Sequence, residues 1–168
     1  LDNLRLSGKI RHVGLSNETA WGTSRWLTTA RTHNLPQIAS IQNEYSLLCR
    51  LFDLDMAELS HHENIGLLSY SPLAAGLLSG KYADGTTPTG TRRSINADLG
   101  GRINEHLWPA LNGYLGIAER HELDPCQMAL AWAATRPFIT SQIIGATSIT
   151  QLQTALESTN ITLSDAVM

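Results

Sequence analysis

LSYSPLAAGLLSGKY, residues 68–82, begins as an apolar run of strand character and breaks at Ser71-Pro72 into a turn of small residues. Pro72 fixes the turn, while Leu73 leads into Ala74, Ala75 and Gly76, which let the backbone approach a ligand closely. Lys81 adds a cation. A strand that ends this way is suited to gripping a phosphate-bearing ligand. Three other segments have a related form, each a short strand-like stretch closing on polar or small residues. Residues 10–15 run into Ser16-Asn17, residues 38–41 into Gln42-Asn43, and residues 141–144 into Gly145-Ala146-Thr147-Ser148.

Helical patterns separate these stretches. Thr19 is placed to cap a helix that runs to His33 with Trp21, Leu27 and Ala30 available for packing, and Asn34-Leu35-Pro36 stops it. Asp53 is a second good cap for a helix carrying Leu54, Ala57, Leu59 and His61 toward Asn64. After a loop at about 83–104, rich in Gly, Thr, Pro and Asp and of the kind that covers a ligand, helical sequence resumes at 105–121. Asp124-Pro125 then opens an Ala-rich helix, and residues 149–156 form the last. Strand and helix thus alternate four times, with one extra helix in the third connection, which predicts a parallel α/β sheet. A doubly wound sheet and part of an eight-stranded barrel both fit. A complete barrel takes about 250 residues, so 168 residues favour half of one, read as a single partial domain over 1–168.

The composition, 42% hydrophobic and 16% charged, is that of an ordinary globular chain. Net charge is −3 and the twelve basic residues are scattered apart from Arg92-Arg93, which argues against a nucleic-acid partner. No apolar run approaches the roughly 18 residues of a membrane span, and no signal-like segment opens the chain, so the expectation is a cytoplasmic protein. Cys49 and Cys126 lack metal or redox spacing and read as small buried thiols. The start at Leu1 and the cap-like Ser164 near the end suggest a chain trimmed at both ends.

The motifs support two kinds of reading. Ser16, Asn17 and Gln42 can bond a carboxamide, or serve as loop hydrogen-bonders. Tyr70 can stack on an aromatic ligand, or sit in the core. Gly145, Thr147 and Ser148 open a helix whose free amides can hold an anion, with Gln151 one turn on, or they form a plain cap. The Gly76 to Lys81 segment is no Walker A loop: three residues separate the glycines, and Tyr82 stands where Ser or Thr would bind magnesium. No GxGxxG follows a strand. Adjacent His61 and His62 diverge by about 100° on a helix and make a poor metal pair.

Gly14-Leu15-Ser16-Asn17, Gln42-Asn43-Glu44-Tyr45-Ser46, Ser69-Tyr70-Ser71-Pro72-Leu73 with Gly80-Lys81-Tyr82, and Gly145-Ala146-Thr147-Ser148 with Gln151-Leu152 occur in the order found in aldo-keto reductases. The chain resembles the C-terminal half of that family's (β/α)8 barrel, nearest to the Tas-like reductases and the potassium-channel beta subunits. The resemblance implies four parallel βα units, NADP(H) as cofactor, and no Rossmann domain. It places Ser16, Asn17 and Gln42 at the carboxamide, Tyr70 on the nicotinamide ring, and Ser71, Leu73 and Lys81 around the pyrophosphate. Gly145, Thr147 and Gln151 serve the adenosine phosphate end, and Arg92 or Arg93 adds charge from the covering loop. One departure is that Thr154-Ala155 stand where the family usually has a Glu-Asn pair against adenine.

The family's catalytic Asp, Tyr, Lys and His belong to the first half of the barrel, which has no counterpart in these residues. The resemblance therefore implies the cofactor half of an NADP(H)-dependent reductase of carbonyl substrates, acting on a small molecule only when the other half is supplied. A non-catalytic NADP(H)-binding or self-assembling half-barrel is the alternative. Four strands taken from a closed barrel present two edges and the inner apolar side chains, so association with a second copy is a further expectation.

Overall fold

Four strands lie side by side in sequence order in the computed structural model, which describes residues 1–168. They are β1 (Val13–Ser16), β2 (Ile38–Glu44), β3 (Gly66–Tyr70) and β4 (Ile139–Ile143), and every neighbouring pair is parallel. The helices are α1 (Asp2–Leu6), α2 (Ala20–Thr32), α3 (Asp55–Glu63), α4 (Arg92–Ile95), α5 (Leu107–Arg120), α6 (Pro125–Ala134) and α7 (Ile149–Glu157). Sequential parallel strands joined by helical crossovers form half of a (β/α)8 barrel.

Local chemistry sets the boundaries. The Thr19 hydroxyl accepts the Gly22 amide (3.1 Å) at the start of α2, and the Asp124 carboxylate accepts the Gln127 amide (3.0 Å) beside Pro125 in α6. Asn64 ends α3 with a left-handed backbone, φ 53°. Ile41 and Leu67 are fully buried on the helix side of the sheet, in a core that includes Leu27, Met56, Leu111, Met128 and Trp132. Tyr45 stacks on Trp132 at 5.6 Å, while the Arg50 and Arg136 guanidinium carbons lie 5.2 and 5.0 Å from the Trp132 ring.

Several expectations are corrected. Asp53 caps no helix: α3 starts at Asp55, and the Asp53 carboxylate instead accepts the Tyr45 hydroxyl (2.8 Å) and Arg50 Nε (2.7 Å). The fourth strand begins at Ile139 and ends at Ile143, so Ile144 and Gly145 lie beyond it. Trp21, assigned to packing, is 76% exposed, whereas Leu27 and Ala30 are buried. Ser164 accepts the Val167 and Met168 amides in a turn, not at a helix start. Both cysteines are free and half-buried.

The inner face also differs from expectation. Alternation along the strands turns Gly14, Ser16, Ser40, Gln42, Glu44, Gly66 and Ser141 away from the helices, with Leu68, Tyr70 and Ile143 as the larger apolar groups. That face is mainly small and polar. Exposed apolar surface gathers at the sheet's two edges: Leu1, Trp26 and Leu35 with Val13 in a cleft of about 370 Å³ beside β1, and Ile143, Ile144, Ile149, Leu152 and Leu156 on and after β4.

Candidate functional site

The strand register gathers the polar strand ends at one rim. Ser16 pairs with Gln42, Gln42 with Leu68, Glu44 with Tyr70, and Tyr70 with Ile143. Asn17 leaves β1 with φ 53°, a left-handed conformation that Asn tolerates better than most residues. Its amide donates to the Gln42 carbonyl (2.9 Å), and its side-chain Oδ1 accepts the Tyr70 hydroxyl at 2.6 Å. One bond thus spans from the end of β1, across β2, to β3. Asn43 turns the other way and clamps Glu18 through the Glu18 amide and carbonyl (3.2 and 2.9 Å).

Asn17, Gln42 and Tyr70 therefore meet, with Ser16 exposed beside them. The Ser16 hydroxyl, Asn17 Nδ2 and the Gln42 side-chain amide have no protein partner. This leaves both donors and acceptors for a carboxamide. The pKa of Tyr70 is raised, first by burial and then by the Glu44 carboxylate, with Arg102 acting in the opposite sense. Its phenol stays a hydrogen-bond donor at neutral pH.

The turn after β3 holds three non-glycine residues in left-handed backbone, Ser71 (φ 53°), Ala74 (φ 48°) and Ala75 (φ 57°), before Gly76 (φ 94°). Internal bonds hold it there: the Ala74 amide donates to the Ser71 carbonyl (2.7 Å), the Ala75 amide to Ser71 Oγ (2.8 Å) and the Gly76 amide to the Leu73 carbonyl (2.9 Å). The amides of Ser71 and Leu73, on either side of Pro72, remain free. A Cβ on Gly76 would meet Lys81 Nζ at 2.8 Å, so the lysine lies directly over a surface that only glycine leaves open. Lys81 Nζ is also 5.1 Å from the Tyr82 ring centroid and makes no ion pair. Free amides beside an unpaired ammonium fit a phosphate.

Beyond β4, Ser148 accepts the Gln151 amide (3.2 Å), and Gln151 Oε1 accepts both the amide (2.9 Å) and the hydroxyl (3.1 Å) of Thr147. These three side chains form the α7 cap, so the plain-cap alternative describes their present bonding. The amides of Gly145 and Ala146 are left free, and pairing of Tyr70 with Ile143 sets them next to the Ser71 turn. Taken with the free donors and acceptors at Asn17 and Gln42, the residues present fit an extended dinucleotide laid along the rim.

Residues 83–104 carry the two arginines considered earlier. Arg93 stacks on Trp108 at 5.2 Å and donates to the Thr86 carbonyl (2.7 Å), whereas Arg92 is exposed and unpaired. Sequence reasoning missed Glu44 and Arg102, which meet in a half-buried ion pair at 2.8 Å beside Tyr70. Glu44 sits within a recognised motif, but no local signal links it to a residue 58 positions away. A basic cavity of about 380 Å³ lined by Arg5, Arg11 and His12 lies near the starts of β1 and β2, at the opposite end of the sheet.

The four tyrosine hydroxyls are all engaged. Tyr45 donates to Asp53, Tyr70 to Asn17 and Tyr114 to the Leu47 carbonyl (3.1 Å), and Tyr82 accepts the Arg93 amide (3.3 Å). Burial, followed by Asp53, pushes the Tyr45 pKa far up.

The aldo/keto reductase family model matches residues 1–168. Protein tas of Escherichia coli is 46% identical over 162 residues, covering 96% of this chain and 47% of that protein. An aldo-keto reductase of Babesia bovis is 40% identical over 159 residues, covering 91% and 56%. A probable voltage-gated potassium channel subunit beta of Arabidopsis thaliana is 30% identical over 153 residues, covering 84% and 47%. The chain spans about half the length of these relatives. With a matching half-barrel and a family match along its whole length, the chain belongs to the aldo/keto reductase family.

Proposed function

We propose that these residues form the NADP(H)-binding half of an oxidoreductase that interconverts carbonyl and alcohol groups on small molecules. The observation that carries this reading is the convergence of Asn17, Gln42 and Tyr70 with the left-handed turn under Lys81 on one rim. NADP(H), when bound, supplies the hydride. Asn17 Nδ2, Gln42 and Ser16 orient the carboxamide, and the Tyr70 ring, held by Asn17, provides a flat wall for the nicotinamide. The Ser71 and Leu73 amides with Lys81 neutralise the pyrophosphate, and the amides at Gly145 and Ala146 with exposed Arg92 serve the far phosphate.

No tyrosine here is placed as the general acid for the carbonyl oxygen: Tyr45, Tyr70 and Tyr114 donate their protons within the fold, and Tyr82 is fully buried. This supports assigning the catalytic tetrad to the half of the barrel outside these residues. Reduction of a carbonyl substrate then requires that half. The test is a fluorescence titration of NADPH into the chain, with Tyr70→Ala and Lys81→Ala. Saturable binding weakened about tenfold by each variant supports the reading, and absence of binding at millimolar NADPH refutes it.

Taken by themselves, these 168 residues leave β1 and β4 unpaired along one side and expose the apolar groups beside them. That favours association of two copies through the edges, which sedimentation resolves; a cooperatively melting monomer would exclude it. No helix is long and apolar enough to cross a membrane. The free thiols suit the reducing cytoplasm, which this reading assigns as the compartment.

A further inference from the structure

Pairing in register between β1 and β2 ends at Ser16 and Gln42, and the chain then turns left-handed at Asn17. Asn43, the next residue of β2, projects with Ile41 to the helix side of the sheet. There its side chain continues the pairing that the two main chains give up. Oδ1 accepts the Glu18 amide (3.2 Å), and Nδ2 donates to the Glu18 carbonyl (2.9 Å). Neither of these Glu18 groups bonds another main-chain group, so one side-chain amide satisfies both.

Two further contacts hold the same residues. The Asn17 amide donates to the Gln42 carbonyl (2.9 Å). Glu18 Oε1 accepts the Thr19 amide (2.8 Å) and hydroxyl (3.2 Å), and a Cβ on Gly22 would clash with that carboxylate, so the first turn of α2 leaves room for it. Residues 17–19 are thereby fixed between β2 and α2. The turn matters because Ser16 already faces the rim, and an extended residue after it would face the helices. Left-handed backbone at Asn17 instead keeps the next side chain on the rim face, where Oδ1 accepts the Tyr70 hydroxyl (2.6 Å) and Nδ2 stays free.

We propose that Asn43 is a positioning residue for the carboxamide of the cofactor: its grip on Glu18 holds the left-handed turn that brings Asn17 onto the rim face. Asn43 lies on the opposite face and touches no ligand. The carboxamide part rests on the proposed NADP(H) reading, whereas the hold on Asn17 does not.

The test uses the 168-residue chain with Asn43→Ala, Asn43→Asp, Asn17→Gly, or Asn17→Gly combined with Asn43→Ala. Hydrogen exchange read by NMR without ligand is expected to be about tenfold faster at the Asn17 amide in Asn43→Ala, although its own acceptor on Gln42 is untouched, with β3 and α6 unchanged. NADPH affinity should fall about tenfold, while 2′-phospho-ADP-ribose, which keeps the phosphates and lacks nicotinamide, should bind within about twofold of wild type. Asn43→Asp keeps the acceptor without the donor and should fall between, and it carries the same readings if the alanine variant does not fold. Asn17→Gly keeps the left-handed backbone without the side chain, so adding Asn43→Ala to it should cost no further NADPH affinity. Unchanged exchange at Asn17 in folded Asn43 variants overturns the positioning role, whether or not NADPH binds. Equal losses for the two ligands, or an additive loss in the combined variant, overturn it as well, since both describe a general contribution to the fold. Faster exchange at Asn17 in a chain whose wild type does not bind NADPH supports the hold on Asn17 and overturns the carboxamide role together with the functional reading beneath it.

Discussion

Gly66→Ala should loosen the sheet at the start of β3, and the extent follows from one neighbour. A Cβ on Gly66 would lie 1.7 Å from Thr140 Oγ1 and 2.9 Å from Thr140 Cβ. Ordinary contact needs about 3.4 Å or more, and rotating the threonine hydroxyl away cannot move its Cβ. Thr is β-branched, so rotation also brings its methyl group toward the same space. Strands β3 and β4, which already shift register between Leu67 and Leu68, must therefore separate locally. Such overpacking costs about 1–3 kcal/mol. For a chain of this size each kcal/mol lowers Tm by roughly 2–4 °C, so the expected fall is about 2–12 °C. Scanning calorimetry of Gly66→Ala alone and combined with Thr140→Ala or Thr140→Gly measures it. Thr140→Ala should relieve the hydroxyl clash but leave the 2.9 Å contact, and Thr140→Gly should remove both. An unchanged Tm in Gly66→Ala, or the same loss in the Thr140→Gly background, would refute the reasoning.

Three further outcomes are expected. Tyr70→Phe keeps the ring but removes the 2.6 Å bond to Asn17, and isothermal titration should show NADPH affinity reduced several-fold, less than for Tyr70→Ala. Asp124→Ala removes the cap on the Gln127 amide and should cost about 1 kcal/mol in urea unfolding. Burial, then Asp124, pushes the Cys126 thiol up to about 11 from 9.0. The neutral thiol is favoured in the folded chain, so its contribution is full below pH 9.0 and declines toward about 11. Because the group is partly exposed, the loss should be about 1 kcal/mol. Cys126→Ala should make the decline between pH 9 and 10 shallower, leaving the part that Cys49, also raised by burial, contributes, below the range where Tyr45 begins to act, as read by urea midpoints.

Much of the architecture was legible because backbone chemistry is local. Thr19, Asp124-Pro125 and Ser148 cap the helices assigned to them, and small or polar residues follow the strands where the pattern placed them. Asp53 misled because a capping residue is also a good partner for a phenol and a guanidinium, and tertiary contacts with Tyr45 and Arg50 prevailed. Trp21 misled because helical spacing gives a face, but the position at the sheet edge leaves that part of α2 uncovered. Within the site, the meeting of Asn17, Gln42 and Tyr70 was anticipated by family motifs and is realised by register. The Asn17 to Tyr70 bond and the Glu44 to Arg102 pair were not legible, because each joins positions more than 50 residues apart.

The turn after β3 offers a ligand mostly main chain. Its shape is set by the Ser71, Leu73 and Gly76 backbone and the Ser71 hydroxyl, and its free donors are peptide amides. Substitutions at Leu77 or Leu78 would be felt as packing losses, and many at Ala75 would pass as mild strain. A mutational scan scored by NADPH binding would therefore outline this site only through Ser71, Gly76 and Lys81. Divergent relatives can lose sequence likeness across the turn and still present the same donors, so a shared contour of amides is the feature to compare when testing the proposed phosphate grip.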